Sequence, residues 1–80
     1  MIEEALLADG FEDALVGFGY QHTRVLAIYD YQKCINVLMS RDDMTEEEAI
    51  EHMDYNVVGS YVGDHTPIFL HKELMSEYTA

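Results

Sequence analysis

The sequence predicts a single α+β domain, residues 1–80, in which a short antiparallel sheet of about three strands carries a two-helix hairpin packed on one face. Two stretches, 15–21 and 24–30, are rich in β-branched and aromatic residues and lie two residues apart, as in a β-hairpin. The apolar residues that follow recur with helical periodicity instead. Because 49% of the 80 residues are hydrophobic, the chain also has enough apolar side chains to bury a core.

The first predicted strand alternates large side chains with glycine. Val16, Phe18 and Tyr20 fall on one face of the strand, whereas Gly17 and Gly19 fall on the other. Glycine at alternate positions leaves room close to the backbone, so we expect a helix to pack against this face. A bound ligand is the alternative occupant of that space.

Asp30 is placed to cap a helix that runs from Tyr31 to about Arg41, because an aspartate oxygen accepts hydrogen bonds from amides of the first turn. The apolar arc of this helix consists of Tyr31, Cys34, Ile35, Leu38 and Met39. Since Cys34 lies within the arc, we predict that it is a small core residue rather than a nucleophile.

The second predicted helix has the clearest local signal in the chain. The letters T-E-E-E at 45–48 predict a capping box between Thr45 and Glu48, with glutamates where the helix dipole favours anions. We expect this helix to end near residues 56–57, with Gly59 as the stop and residues 41–44 linking the two helices into a hairpin. Its narrow apolar stripe consists of Ala49, Ile50, Met53 and Val57.

The two ends of the chain carry weaker signals. Residues 2–8 are predicted to form a short helical segment that stops at Asp9-Gly10. Tyr61-Val62, a turn at 63–65 and residues 67–71 suggest a further strand, with Pro67 tolerated at a first or edge position. A helical turn in the tail 72–80 would carry Leu74, Met75 and Tyr78.

The charge balance restricts the partners of this chain. Sixteen Asp and Glu against four Lys and Arg give a formal net charge of -12, which repels nucleic acid and anionic membranes and suits a basic partner. The single cysteine cannot form an internal disulfide, and no apolar run approaches the ~20 residues of a membrane span. We therefore expect a soluble, cytoplasmic protein without direct contact to nucleic acid or membrane.

Four strings of residues carry a resemblance to a known group of proteins. In order they are D-A-L-V-G-F-G, I-Y-D-Y-Q-K-C-I, M-T-E-E-E-A-I-E-H and Y-N-V-V-G-S-Y-V-G-D-H-T-P-I-F. With them the chain resembles small acidic bacteriophage-type proteins of unassigned function over residues 10–71, that is, without its first and last nine residues. The resemblance implies a viral accessory protein made inside a bacterium, and it implies no reaction and no catalytic residues.

Candidate metal ligands are scattered along the chain. His52 pairs with Glu48 or Asp54 at short spacing, and Asp64, His65 and His71 form another set. A zinc site needs three or four converging ligands, often with Cys, and none of these spacings is diagnostic. No serine lies in a nucleophile motif and no phosphate-binding loop is present. We therefore predict no catalytic residue, metal or cofactor, with a small metal-dependent enzyme as the third hypothesis for function.

Acidic residues cluster around the second predicted helix. With one tyrosine that projects towards them, they form the predicted partner-binding set: Asp42, Asp43, Glu47, Glu48, Glu51, Asp54 and Tyr55. A second string near the N-terminus, which would enlarge the same surface, consists of Glu3, Glu4, Asp9, Glu12 and Asp13. Such a charge run also serves solubility alone, and the sequence leaves both interpretations open.

Two other hypotheses of function come before the metal-dependent enzyme. In the first, the chain is a non-catalytic accessory protein whose acidic surface engages a basic site on a host or viral protein, with inhibition of a nucleic-acid-handling or defence enzyme as one form of it. In the second, the acids only keep the chain soluble while an edge strand or apolar patch pairs with another copy, giving a self-assembling homo-oligomer.

Overall fold

The computed structural model describes residues 5–59 and 63–79 and has the α+β class that the sequence predicts. A turn of 3₁₀-helix, Glu12–Ala14, leads into the first strand, and a π-helical turn, Met53–Val57, continues the second helix. The other elements are β1 Leu15–Gln21, β2 Arg24–Asp30, α1 Tyr31–Arg41, α2 Glu46–His52, β3 Ile68–Leu70 and α3 Leu74–Thr79.

β1 and β2 form the predicted antiparallel hairpin, in which Gln21 pairs with Arg24 across a two-residue loop. The first loop residue, His22, has a φ of 59°, the left-handed region that two-residue hairpin loops use to match the twist of their strands. The register shifts between Leu15 and Gly17, so the pairing is irregular where β1 begins.

β3 pairs with β2 in parallel, with Ile28 opposite Ile68 and Tyr29 opposite Phe69. The sheet is therefore mixed, in the order β1-β2-β3, and the prediction of an antiparallel sheet is confirmed for the first pair and wrong for the second. Both helices lie between β2 and β3, and such a crossover returns the chain in the direction of the strand it left. Pro67 immediately precedes this edge strand, as predicted.

The helices cover one face of the sheet. Ala27 and Tyr29 alternate on the same face of β2, and both belong to the buried core. The helical residues that join them there are Cys34, Ile35, Leu38, Ala49 and Met53. The Tyr29 ring is 2% exposed and stacks on Phe69 with 5.8 Å between centroids, so the third strand is tied to the same core.

Among the described residues, no helix packs against the glycine face of β1, so that expectation is wrong. Gly17 pairs with Ile28 and Gly19 pairs with Leu26, which places both glycines on the face opposite Ala27 and the helices. A Cβ at Gly17 would meet no described atom within 4 Å, whereas a Cβ at Gly19 would meet Cδ1 of Ile28 at 2.9 Å. A side chain of the neighbouring strand, rather than a helix, occupies the space above Gly19.

Asp30 joins β2, α1 and the segment after β3. It ends β2 and caps α1 as predicted, since its Oδ1 accepts a hydrogen bond from Lys33 N at 3.1 Å. Its Oδ2 lies 3.1 Å from Nζ of Lys72. Burial raises the pKa of this 5% exposed residue, but the Lys33 amide and the Lys72 ammonium together outweigh burial and hold the pKa below its usual range.

The second helix begins and ends at the predicted residues. Thr45 Oγ1 accepts from Glu48 N at 3.2 Å and Glu48 Oε1 accepts from Thr45 N at 2.9 Å, which completes the capping box. The π-helical turn carries the helix to Val57. Gly59 follows, and a Cβ there would lie 2.6 Å from the Asp54 carbonyl oxygen, so only glycine fits without a backbone shift.

The predicted N-terminal helix is wrong for residues 5–8, which are not helical; residues 2–4 lie outside the described part. Tertiary hydrogen bonds use the amides of this segment instead. Leu6 N donates to the His65 carbonyl at 3.4 Å, and Ala8 N donates to the Tyr29 hydroxyl at 2.9 Å. Arg41 then fixes the next turn, because its Nη1 donates to the Gly10 carbonyl at 2.8 Å.

The C-terminal part follows the sequence prediction where it is described. A turn is present at 63–65, where Thr66 N donates to the Gly63 carbonyl at 3.2 Å, and α3 is the predicted helical turn of the tail. Tyr61 and Val62, predicted to start the strand, lie outside the described residues. Over the described ranges, every helix is too short or too polar to cross a bilayer.

Replacing Asp30 with Asn tests the junction. D30N keeps a capping oxygen but loses the charge beside Lys72, and because Lys72 is exposed we expect a loss of about 1–2 kcal/mol in unfolding free energy at pH 7. The folded pKa of Asp30 lies below its unfolded value of about 4, so this stabilisation is present above that value and disappears as pH falls through the folded pKa. Urea unfolding at pH 7 and pH 3 measures the difference.

The exposed Asp13, on the turn before β1, provides the control. D13N should leave the unfolding free energy within about 0.5 kcal/mol at both pH values. An equal loss for D30N at pH 3 and pH 7 would contradict the assigned role of the charge.

Replacing Gly59 with Ala tests the stop of the second helix. The added Cβ would push against the Asp54 carbonyl, so we expect G59A to lower the unfolding free energy by about 1–3 kcal/mol. G17A is the matched control, because the same atom meets nothing described within 4 Å there. Thermal and urea unfolding compare the two variants. Equal unfolding free energies for G59A and G17A would contradict the predicted clash at Gly59.

Candidate functional site

An open cavity of about 320 Å³ lies along the acidic side of α2 and its π-helical turn. Three of its six lining residues, Glu48, Glu51 and Tyr55, belong to the predicted partner-binding set, and they recur at the spacing that places residues on one helix face. The complete lining is Met44, Glu48, Glu51, His52, Tyr55 and Asn56.

The residues that line this cavity are largely exposed to solvent. Both glutamates are exposed, and Tyr55 is 77% exposed, unusual for so large an aromatic side chain. Met44 is half-buried against the core and supplies an apolar side to an otherwise polar cavity. The Nδ2 of Asn56 lies 3.4 Å from Nδ1 of His52, so two of the lining residues contact each other.

Asp42 and Asp43 occupy the link between the helices rather than the cavity. Arg41 binds Asp42 at both carboxylate oxygens, with Nε to Oδ1 at 3.0 Å and Nη2 to Oδ2 at 2.9 Å. This hydrogen-bonded guanidinium lowers the pKa of Asp42 below its usual range. Asp43 has a φ of 57°, so it serves as the left-handed turn residue of the link.

Asp54 faces α1 instead of the cavity. The Tyr31 hydroxyl donates to Asp54 Oδ1 at 2.9 Å, and the Tyr31 ring stacks on His71 with 4.1 Å between centroids. Burial, together with the hydrogen bond to Asp54, raises the pKa of Tyr31 to about 12. Asp54 is thus a structural acceptor that ties the π-helical turn to α1.

Glu47 lies on the exposed side of α2 but does not line the cavity. Glu48 does line it, although one of its oxygens also serves the capping box. The structure therefore brings together Glu48, Glu51 and Tyr55, with Glu47 beside them on the same helix. Asp42 and Asp43 lie in the link between the helices, and Asp54 contacts Tyr31.

The few cations of the chain do not neutralise this face. In the described ranges, ion pairs join Arg41 to Asp42 and Lys72 to Asp30, and Nδ1 of His71 lies 2.9 Å from Oε2 of Glu73. None of them involves a glutamate of α2. The glutamates that line the cavity are therefore without an ion pair to any described lysine or arginine.

The second acidic string is only partly described. Asp9 lines a different cavity, about 240 Å³ and mostly apolar, near Phe11, Pro67 and Phe69. Glu12 Oε2 accepts a hydrogen bond from Gly10 N at 3.2 Å. That the two strings form one surface stays a prediction, and Glu3 and Glu4 lie outside the described residues.

The candidate metal ligands do not converge in the described part of the chain. Cys34 is fully buried, and burial, with a smaller contribution from Asp30, raises the pKa of its thiol to about 11, as expected of a core cysteine. No group of three or more His, Cys, Asp or Glu within the described ranges is arranged to hold a metal ion. His71 instead stacks on Tyr31 and contacts Glu73 at 2.9 Å.

Comparisons with protein-family models, with curated proteins and with solved structures found no match for this chain. The resemblance to phage-type proteins therefore stays a prediction. Function is inferred from the residues of the cavity and from the charge of the chain.

Sequence reasoning missed Met44, His52 and Asn56 as parts of the cavity, since it considered His52 only as a metal ligand. Met44 directly precedes the capping residue Thr45, the position where an apolar side chain typically packs back on the first turn of a helix. That signal was available. Asn56 depends on the π-helical turn, which shifts the faces of the helix after Met53 and has no sequence signature of its own.

Replacing Tyr31 with Phe tests the contact that holds Asp54. Y31F removes one hydrogen bond to a carboxylate and keeps the ring on His71, so we expect a loss of about 1 kcal/mol in unfolding free energy. Y55F is the matched control, because Tyr55 is 77% exposed and should be unaffected. Urea unfolding of both variants decides; equal stability would remove the structural role given to Asp54.

Proposed function

We propose that this chain is a non-catalytic accessory protein that binds a basic site on another protein through the acidic face of α2. The observation that carries the proposal is the open cavity in which Glu48, Glu51 and an exposed Tyr55 meet, and in which no described lysine or arginine pairs with the two glutamates. A purely solubilising face needs charge but has no use for an exposed aromatic ring among the carboxylates. Exposed tyrosines of this kind are common anchors of protein interfaces.

A lysine or arginine side chain of the partner suits the chemistry of the cavity. Its charged end would donate charge-assisted hydrogen bonds to the carboxylates of Glu48 and Glu51. The Tyr55 ring offers a cation–π contact, worth about 0.5–1 kcal/mol at an exposed site. The apolar side of Met44 suits the aliphatic stem of such a side chain.

The spacing of the acids favours single basic side chains over imitation of a nucleic-acid backbone. Acids one helical turn apart rise about 6 Å along the axis, whereas phosphates of one DNA strand rise about 3.4 Å. The resemblance to phage-type proteins supports a viral accessory role in the bacterial cytoplasm. Within that role, the partner class is a nucleic-acid-handling or defence enzyme, because the functional sites of such enzymes are basic.

Reversing two charges tests the proposal. We expect E47K/E51K to lose binding to the proteins that the unaltered chain captures from a bacterial lysate, because the attraction becomes repulsion. Capture by the unaltered chain should also fall steeply as salt rises, since exposed charges are screened. Mass spectrometry of the eluates at low and high salt, followed by a binding titration with the captured protein, measures both effects.

The control variant makes the same change of net charge elsewhere. D64K/E77K alters two exposed acids outside α2 and outside the N-terminal acidic string, and it should retain most of the binding. Equal loss in both double variants would reduce the effect to net charge, and capture that is indifferent to salt would rule out the acidic face. Circular dichroism confirms that each variant is folded.

A further inference from the structure

β1 is a seven-residue edge strand without a single charged side chain, in a chain of which 25% is charged. Its neighbour in the sheet is β2, and no described strand pairs with its other side. Val16 is 52% exposed, Phe18 40% and Tyr20 80%. On the opposite face, Gly17 is uncovered among the described residues.

The outer edge of this strand is open to pairing. In an antiparallel hairpin, residues alternate between backbone groups that point to the partner strand and groups that point away. Since Gln21 and Arg24 close the two-residue loop, the N–H and C=O groups of Phe18 and Tyr20 point outward. Natural edge strands are commonly protected by lysine, proline or inward charges, and β1 has none of these; its only irregularity lies at its start.

The charges at the two ends of β1 indicate what covers this edge. Glu12 and Asp13, both exposed, precede the strand, whereas Arg24 lies at the hairpin tip that follows it. In an antiparallel arrangement of two copies, the acidic end of each strand meets the basic tip of the other. A two-fold axis forms this favourable contact twice, as an isologous interface requires.

We propose that two copies of this chain pair through β1 in antiparallel fashion, forming one continuous sheet across a two-fold axis. A register centred on Phe18 places Val16 opposite the second copy's Tyr20 and Gly17 opposite the second copy's Gly19. Aromatic and β-branched residues then face each other across the axis, a stabilising type of cross-strand pair. The backbone supplies the hydrogen bonds, and the uncharged side chains are removed from water.

The dimer goes beyond the proposed function and leaves its surface free. The cavity residues lie within 44–56, on elements that are not part of the sheet edge. A dimer therefore carries two acidic cavities, and a partner with two basic sites would bind it with a gain in avidity.

The dimer and the proposed partner binding differ in their expected dependence on salt concentration, which allows them to be tested separately. Each copy has a net charge of -12, so long-range repulsion opposes the dimer and screening of that repulsion favours it. The repulsion between two copies of charge -12 exceeds the few Arg24 contacts with Glu12 and Asp13 that salt also screens. Dimerisation should therefore strengthen as salt rises, whereas binding of a basic partner to the α2 face should weaken. Either proposal can fail without the other.

Sedimentation equilibrium from low to high salt, over a wide range of protein concentration, tests the dimer. We expect a monomer–dimer equilibrium that shifts towards dimer with salt, and we expect Y20K and V16K each to weaken it by about tenfold or more. L74K is the matched control, since it places the same charge on an apolar side chain outside β1 that is as exposed as Val16, 53% against 52%, and it should leave the equilibrium unchanged.

Hydrogen exchange in the unaltered chain supplies a measurement that needs no variant. The amides of Phe18 and Tyr20 should become protected as protein concentration rises, while the Gly19 amide, which points to β2, is protected throughout. A monomer at every salt and concentration would overturn the proposal. So would a dimer that survives in folded Y20K and V16K, or one in which the Phe18 and Tyr20 amides gain no protection.

Discussion

The arrangement of this small domain depends on the contacts that the Asp30 carboxylate makes with Lys33 and Lys72. It stands where β2 turns directly into α1, caps that helix, and holds Lys72 of the segment after β3. The preceding residue, Tyr29, reaches in the other direction, since its ring stacks on Phe69 and its hydroxyl accepts from the Ala8 amide. Two neighbouring residues at the end of one strand thus connect the hairpin, the helices, the third strand and the N-terminal segment. A domain of this size buries a small core, so such polar connections contribute a larger share of its stability than in a bigger protein.

The distribution of charge explains how a chain with so many acids folds and still presents a negative face. Of the four lysine and arginine side chains, Arg41 and Lys72 form ion pairs that fix turns and helix ends, and Arg24 bonds to Gln21 in the hairpin. These contacts stabilise the junctions where neighbouring acids would otherwise repel. The glutamates of α2 receive no such cation within the described ranges. Three of them lie in the first turn, where the helix dipole and the capping box already favour negative charge, so the same residues that start the helix also supply its outer surface.

Local signals determined most of what the sequence predicted correctly. The two-residue hairpin loop, the Asp30 cap and the Thr45–Glu48 box each involve residues a few positions apart, and all are present in the structure. The failures concern contacts between distant segments. The parallel pairing of β3 depends on the path of the helical crossover, and the release of Asp54 from the acidic face depends on Tyr31, far away in the chain. For the candidate site, composition and helical spacing predicted Glu48, Glu51 and Tyr55, but the shape of the cavity required the π-helical turn and Met44.

The parallel pairing of β3 has a consequence for the order in which the molecule assembles. The hairpin is a local structure and forms within microseconds once both of its strands exist. Ile68 cannot reach Ile28 until the whole intervening crossover is in place, so β3 cannot pair with β2 until residues 68–70 have left the ribosome. Until then, both outer edges of the β1-β2 hairpin are without a described partner strand. β3 then pairs with the outer edge of β2. A chain truncated before β3 would leave the outer edges of both β1 and β2 unpaired by any described strand.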